Sequence, residues 1–119
     1  MESHKAMKSL LHRMKIQRKQ PLAGSLAQTA AVRSHNVTPE QMQKIAKSIP
    51  KILILTGDTD YLLKPVNSEW LHSHMPGAEY QVWEGIGHGL VAQVPKRFNE
   101  TLERVIAEGR EKGSQTPRA

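Results

Sequence analysis

Residues 52–60 read Ile52-Leu53-Ile54-Leu55-Thr56-Gly57-Asp58-Thr59-Asp60, and residues 80–89 read Tyr80-Gln81-Val82-Trp83-Glu84-Gly85-Ile86-Gly87-His88-Gly89. Each begins as a short apolar run and ends, through glycine, in a residue able to hold or move a proton. The continuous apolar run 52–56 predicts a strand buried on both faces. If the two strands are parallel neighbours, Asp60 and His88 sit on loops at the same sheet edge. That carboxyl edge is where open α/β sheets place their chemistry. An acid and an imidazole are therefore expected within reach of one another, with no obvious nucleophile beside them.

The segments around these strands read as helices. Pro65 to Ser68 opens a short one that carries Trp70 and Leu71 and stops at Pro76-Gly77. Pro95 opens a last helix with Phe98, Leu102, Val105 and Ile106 inward, and Gly109 stands where a C-terminal cap is expected. Upstream, Thr38-Pro39-Glu40-Gln41 is a capping-box start. Met42, Ile45, Ala46 and Ile49 form that helix's buried stripe, and Pro50 ends it. Ser25 to Val32 is Ala-rich and helical. Residues 5–19 place Met7, Leu10, Leu11 and Met14 at helical spacing with Lys and Arg between them, an amphipathic helix. A stripe this narrow more often packs on a neighbour than enters a membrane. The alternation of strand and helix predicts parallel strands joined by a right-handed crossover. The organisation expected is a basic helical segment over 1–49, an α/β segment over 50–110 and a flexible tail over 111–119.

Bulk properties narrow the class. At 119 residues, with 38% hydrophobic and five aromatic side chains, the chain is at most one modest domain and shorter than a full doubly wound sheet needs. It has no cysteine, so neither a disulfide framework nor a thiolate metal site is available, and a reducing compartment fits. No apolar stretch approaches the ~20 residues of a membrane span. The start lacks the apolar region of a secretory signal, and a cytoplasmic location is expected. The net charge of +6 is uneven: residues 1–49 carry +7 and the rest −1. A basic arm of this kind meets nucleic acid or anionic lipid, or is simply a solvated helix face. No DNA-reading motif and no Gly/aromatic single-strand pattern accompany it, so no specific nucleic-acid partner is expected. A basic, acid-poor start also marks mitochondrial presequences, but here lysine outnumbers arginine and serine is sparse.

Asp60 and His88 carry the chemistry. A carboxylate projecting from the strand end can orient an imidazole through one ring N–H and stabilise its protonated form. The plainer role for Asp58 and Asp60 is to cap a turn. Glycine on each side of His88 predicts a tight turn that leaves the ring accessible, and an imidazole with a pKa near ~6.5 suits general-base work at neutral pH. A lone loop histidine is usually incidental. Gly-x-Gly-His-Gly placed 28 residues after Gly-x-x-Asp is much less often so.

These residues resemble the C-terminal third of the α/β-hydrolase core, particularly in fungal members of that superfamily. Ile-Pro-Lys-Ile-Leu-Ile-Leu-Thr-Gly-Asp-Thr-Asp-Tyr-Leu-Leu-Lys-Pro (49–65) is similar to the strand and loop that deliver the family's catalytic acid. Glu-Gly-Ile-Gly-His-Gly-Leu-Val-Ala-Gln-Val-Pro (84–95) is similar to the loop that delivers its histidine. Residues 24–49 resemble the junction between the family's cap and its last core strands, and the whole likeness covers roughly residues 22–110. It implies a partial α/β-hydrolase fold, β-α-β-α of a parallel sheet preceded by helices. It also implies Asp60 as triad acid and His88 as general base, a small apolar ester, epoxide or related substrate, and neither cofactor nor metal. The family's Gly-x-Ser-x-Gly elbow, which precedes the acid, is missing. Gly24-Ser25-Leu26-Ala27 is its nearest imitation and lacks the preceding apolar strand. The expectation is thus the C-terminal portion of a serine-type hydrolase, inactive as this chain alone, whose small-molecule substrate binds once the N-terminal part is supplied. The alternative is a truncated, non-enzymatic interaction module that uses the sheet edge and the basic helix and self-associates.

Two rivals are weaker. Strand-Asp-x-Asp resembles the Mg²⁺-binding pattern of haloacid dehalogenase-like enzymes, but Gly57 intervenes and Leu62 stands where that pattern has Thr or Val. His72-x-His74 has the ligand types of a metal site, yet i and i+2 point to different sides of a helix.

Overall fold

The computed structural model describes residues 2–115. In chain order the elements are α1 (Glu2–Ile16), α2 (Leu22–Ser34), α3 (Pro39–Ser48), β1 (Leu53–Gly57), α4 (Pro65–His74), β2 (Glu79–Trp83), α5 (Leu90–Gln93) and α6 (Pro95–Gln115). They form two compact units, Met1–Asn36 and Val37–Ala119. The first holds α1 and α2. The second holds the rest, including α3, which the sequence pattern groups with the N-terminal segment. The class is mixed α/β: β1 and β2 pair in parallel, in register from Leu53↔Glu79 to Gly57↔Trp83, with α4 as the crossover.

Local signals set the helix starts. Thr38 Oγ1 accepts the Gln41 N–H at 3.3 Å, and Gln41 Oε1 accepts the Thr38 N–H at 2.8 Å, with Pro39 in the first turn of α3. The single turn α5 has no counterpart in the sequence pattern. It forms as the Ala92 and Gln93 N–H groups fold back onto the Gly89 carbonyl.

The main core cluster lies on one face of the sheet, and Trp83 is buried on the other. Met42 of α3, Ile54 of β1, Met75 at the end of α4 and Ala78 form the cluster's buried centre, and Tyr80 of β2 packs against them. Burial of β1 on both faces is not found. Ile54 and Thr56 are buried, whereas Leu53 and Leu55 on the opposite face are only half-buried. On that side α6 contributes no buried residue, and Leu102 and Ile106, expected inward, are 46% and 45% exposed. Its hold on the sheet combines the Arg97 guanidinium over the Trp83 ring with a set of ion pairs. Arg104 forks onto Glu79 at 2.6 and 3.0 Å and reaches Glu108 at 2.8 Å, while Lys51 bridges Glu79 and Glu108. The α3 stripe is likewise half-open: Met42 is buried, but Ile45 and Ile49 are exposed. Nor does Gly109 end α6, which runs on to Gln115. The glycine instead permits a close pass over Lys51, whose Cβ would lie 3.3 Å from an added Cβ. Residues 111–115, expected as flexible tail, are therefore helical, and 116–119 lie outside the described residues.

The ion pairs and the core can each be tested. Arg104 first, then Lys51 and Gln81, hold the Glu79 carboxyl down at about 2 against the opposing effect of burial. A carboxyl depressed by folding adds stability that is complete above its ordinary value of 4.5 and lost as pH falls toward 2. Thermal unfolding followed by circular dichroism across that window is expected to show Glu79→Gln less stable at neutral pH and shallower in its acid loss. In the core, the Tyr80 hydroxyl is buried without a hydrogen-bond partner among the described residues. Tyr80→Phe removes that orphan and is expected to raise stability by about 1 kcal/mol in denaturant unfolding.

Candidate active site

The loops leaving β1 and β2 are stitched together. The Asp58 N–H donates to the Trp83 carbonyl and the Thr59 N–H to the Ile86 carbonyl, both at 3.1 Å, which carries the parallel ladder past the strand ends. Asp58 Oδ1 accepts the Gly85 N–H at 2.7 Å, and Gln93 Oε1 accepts the Gly87 N–H at 2.9 Å. The Ile86 carbonyl passes so near Gly57 that an added Cβ would lie 1.9 Å from its oxygen and 2.5 Å from its carbon. Gly57 is thus required by close approach. The tight turn of the second loop sits at Gly85, with φ of 70°, the left-handed region that favours glycine. It does not sit at the glycines flanking His88 as the sequence predicts. Gly89 has φ of −84°, and a Cβ on Gly87 or Gly89 meets nothing closer than ordinary contact.

This stitching brings Asp60 and His88 together, with Oδ2 2.9 Å from Nδ1. Asp60 is 5% exposed, while the His88 side chain is 50% exposed. The other carboxylate oxygen, Oδ1, accepts the N–H groups of Leu62 at 3.0 Å and Leu63 at 2.8 Å. Turn capping and imidazole contact are therefore both present, on different oxygens of one side chain. The Leu63 N–H above all, with His88 and Leu62, holds the carboxyl below its usual range against the opposing effect of burial. A carboxylate only accepts, so the shared proton belongs to His88 Nδ1, and in the neutral ring the lone pair is on Nε2. Nε2 makes no hydrogen bond among the described residues. Four exposed apolar residues lie in the segments that follow the pair in sequence, Tyr61, Leu62 and Leu63 after Asp60 and Val91 after His88, alongside exposed Asp58, Thr59 and Gln93. Trp83, the last residue of β2, is buried, with its indole N–H on Gln81 Oε1 at 2.8 Å and the Arg97 guanidinium 4.1 Å over its ring.

The turn-capping role read for Asp60 in the sequence is filled by the Leu62 and Leu63 amides. Gln93 is a site element that sequence reasoning misses, and no sequence signal marks it. The other candidates go elsewhere. Ser25 lies on α2 in the first unit, where its carbonyl accepts the Thr29 hydroxyl at 2.9 Å. The His72 ring stacks on Tyr80 with centroids 5.1 Å apart, and His74 Nδ1 lies 2.8 Å from the Trp70 carbonyl. Among the described residues no three His, Asp or Glu gather as metal ligands, and no helix is long and apolar enough to cross a membrane.

No family model matches the chain, and no curated protein matches it significantly.

The two kinds of glycine separate experimentally. Gly57→Ala drives the Ile86 carbonyl off, with an expected stability loss of about 3 kcal/mol and loss of the low-field His88 Nδ1–H proton resonance. Gly89→Ala leaves stability within about 0.5 kcal/mol and the resonance in place.

Proposed function

We propose that this chain carries the acid–base half of a serine-type α/β-hydrolase site, acting on an ester, epoxide or related small apolar substrate. The observation that carries the reading is the 2.9 Å Asp60–His88 hydrogen bond between loops at the carboxyl ends of adjacent parallel strands. The resemblance of both loops to the family's acid and histidine loops adds to it. In this mechanism His88 Nε2 takes the proton of an attacking hydroxyl, and the buried Asp60 carboxylate stabilises the imidazolium through Nδ1. With an ester, the imidazolium then returns its proton to the departing alkoxide. The exposed apolar residues that follow the pair in sequence suit an apolar substrate. The cysteine-free composition is in keeping with a cytoplasmic setting.

The nucleophile is the missing member. The 119 residues contain no Gly-x-Ser-x-Gly, and removing the nucleophile from such a triad leaves little beyond background. The chain alone is therefore expected to resist fluorophosphonate labelling and to hydrolyse p-nitrophenyl acetate only as a surface imidazole would, at a rate lowered, not abolished, by His88→Ala. The Asp60 contact orients the ring with Nε2 outward, so Asp60→Asn is expected to slow acylation of Nε2 by p-nitrophenyl acetate. Labelling lost in Ser25→Ala would replace this reading with one in which Ser25 is the nucleophile. An acylation rate equal in wild type and Asp60→Asn would remove the base from it.

A second reading, an interaction module without catalysis, is favoured by the outer edge of β1. Among the described residues nothing pairs with that edge, and Leu53 and Leu55 beside it are half-buried. Such edges recruit other chains.

A further inference from the structure

We propose that α1 is a peripheral anchor for an anionic lipid bilayer, lying in the interface with its apolar stripe toward the acyl chains. The inference stands on the first unit and is independent of the hydrolase reading.

Met7, Leu10, Leu11 and Met14 fall at i, i+3, i+4 and i+7, one continuous face of α1. A stripe of this kind is expected to pack on a neighbour. Instead the four side chains are 56, 53, 50 and 64% exposed. Lys8, Arg13 and Lys15 lie on the remaining faces, and Arg18 and Lys19 follow directly. From Ser3 to Pro39 the chain has seven Lys/Arg and no acidic residue. A stripe of flexible, non-β-branched apolar side chains flanked on both sides by basic residues is the pattern of helices that lie in the bilayer interface.

Charge complementarity selects the occupant. An uninterrupted positive field repels a second copy of the same helix and requires a negative surface. Nucleic acid supplies the charge but leaves four long apolar side chains in water. An anionic bilayer satisfies both faces of the helix at once, its headgroups taking the lysines and its acyl region the Met/Leu stripe. The stripe is too short and too flanked by charge to cross the bilayer, in line with the absence of a membrane-crossing helix among the described residues.

The test uses the whole chain and co-sedimentation with vesicles of phosphatidylcholine containing phosphatidylserine, against pure phosphatidylcholine. Binding is expected to the anionic vesicles only and to weaken with added salt. Lys8→Gln with Lys15→Gln is expected to weaken it about thirtyfold, about fivefold for each charge removed. Leu10→Gln with Leu11→Gln is expected to lose it while circular dichroism shows the helix retained. Because that variant can also lose helix, Met14→Trp supplies a second readout, taken as the difference from the wild-type emission of Trp70 and Trp83. The emission of the introduced indole shifts to the blue on the anionic vesicles and is quenched by brominated acyl chains. Absent binding, or an introduced indole whose emission is neither shifted nor quenched, overturns the proposal. So does binding that survives Leu10→Gln/Leu11→Gln and is matched by duplex DNA, which makes α1 a polyelectrolyte patch. Dimerisation lost in the same variant, without vesicle binding, overturns it in favour of a second copy as the occupant.

Discussion

The passage of the Ile86 carbonyl against Gly57 is the constraint on which the site depends. Any side chain at 57 would occupy the carbonyl's place. The Thr59 N–H would then lose its acceptor, and the loop bearing Asp60 would part from the loop bearing His88. The dyad's 2.9 Å geometry is thus set mostly by backbone: two ladder bonds carried beyond the strands, one Asp58–Gly85 bond and one missing Cβ. A site held this way costs little side-chain entropy, because few rotamers need ordering to keep it.

Asp60 joins fold and chemistry in one side chain. Its Oδ1 closes the turn over Leu62 and Leu63, and its Oδ2 orients His88. The turn bonds also favour the ionised group, since N–H donors stabilise the charged form of a carboxyl against the opposing effect of burial. The asymmetry of exposure completes the arrangement. The Asp60 carboxyl is shielded from water, while half the His88 side chain remains exposed.

Much of this was legible in the sequence. Parallel strands, the α3 cap and the meeting of Asp60 with His88 all follow from patterns within a few residues and from one topological rule. What was not legible is whatever depends on the partner across the gap. An apolar run such as Leu53-Ile54-Leu55 declares that it wants cover on both faces, but only the presence of a second layer decides whether it has it. Here α6 meets the sheet through Arg104, Lys51 and Glu79, residues on three separate segments whose pairing no local pattern announces. Glycine shows the same limit. Gly57, Gly85, Gly87 and Gly89 all lie in or beside the two loops, yet only Gly85 takes a positive φ and only Gly57 meets a close approach there.

The half-open positions have a common direction. Leu53 and Leu55 on the sheet and Leu102 and Ile106 on α6 are apolar, periodic and incompletely covered. A two-stranded sheet is marginal by itself, and three or more strands are the usual condition for independent stability. A further parallel strand on the outer edge of β1 would meet unpaired backbone groups and half-buried leucines at once. It would also end beside Gly57, on the side of the sheet edge where the Asp60 loop begins. Filling that edge is therefore expected to raise the stability of the second unit.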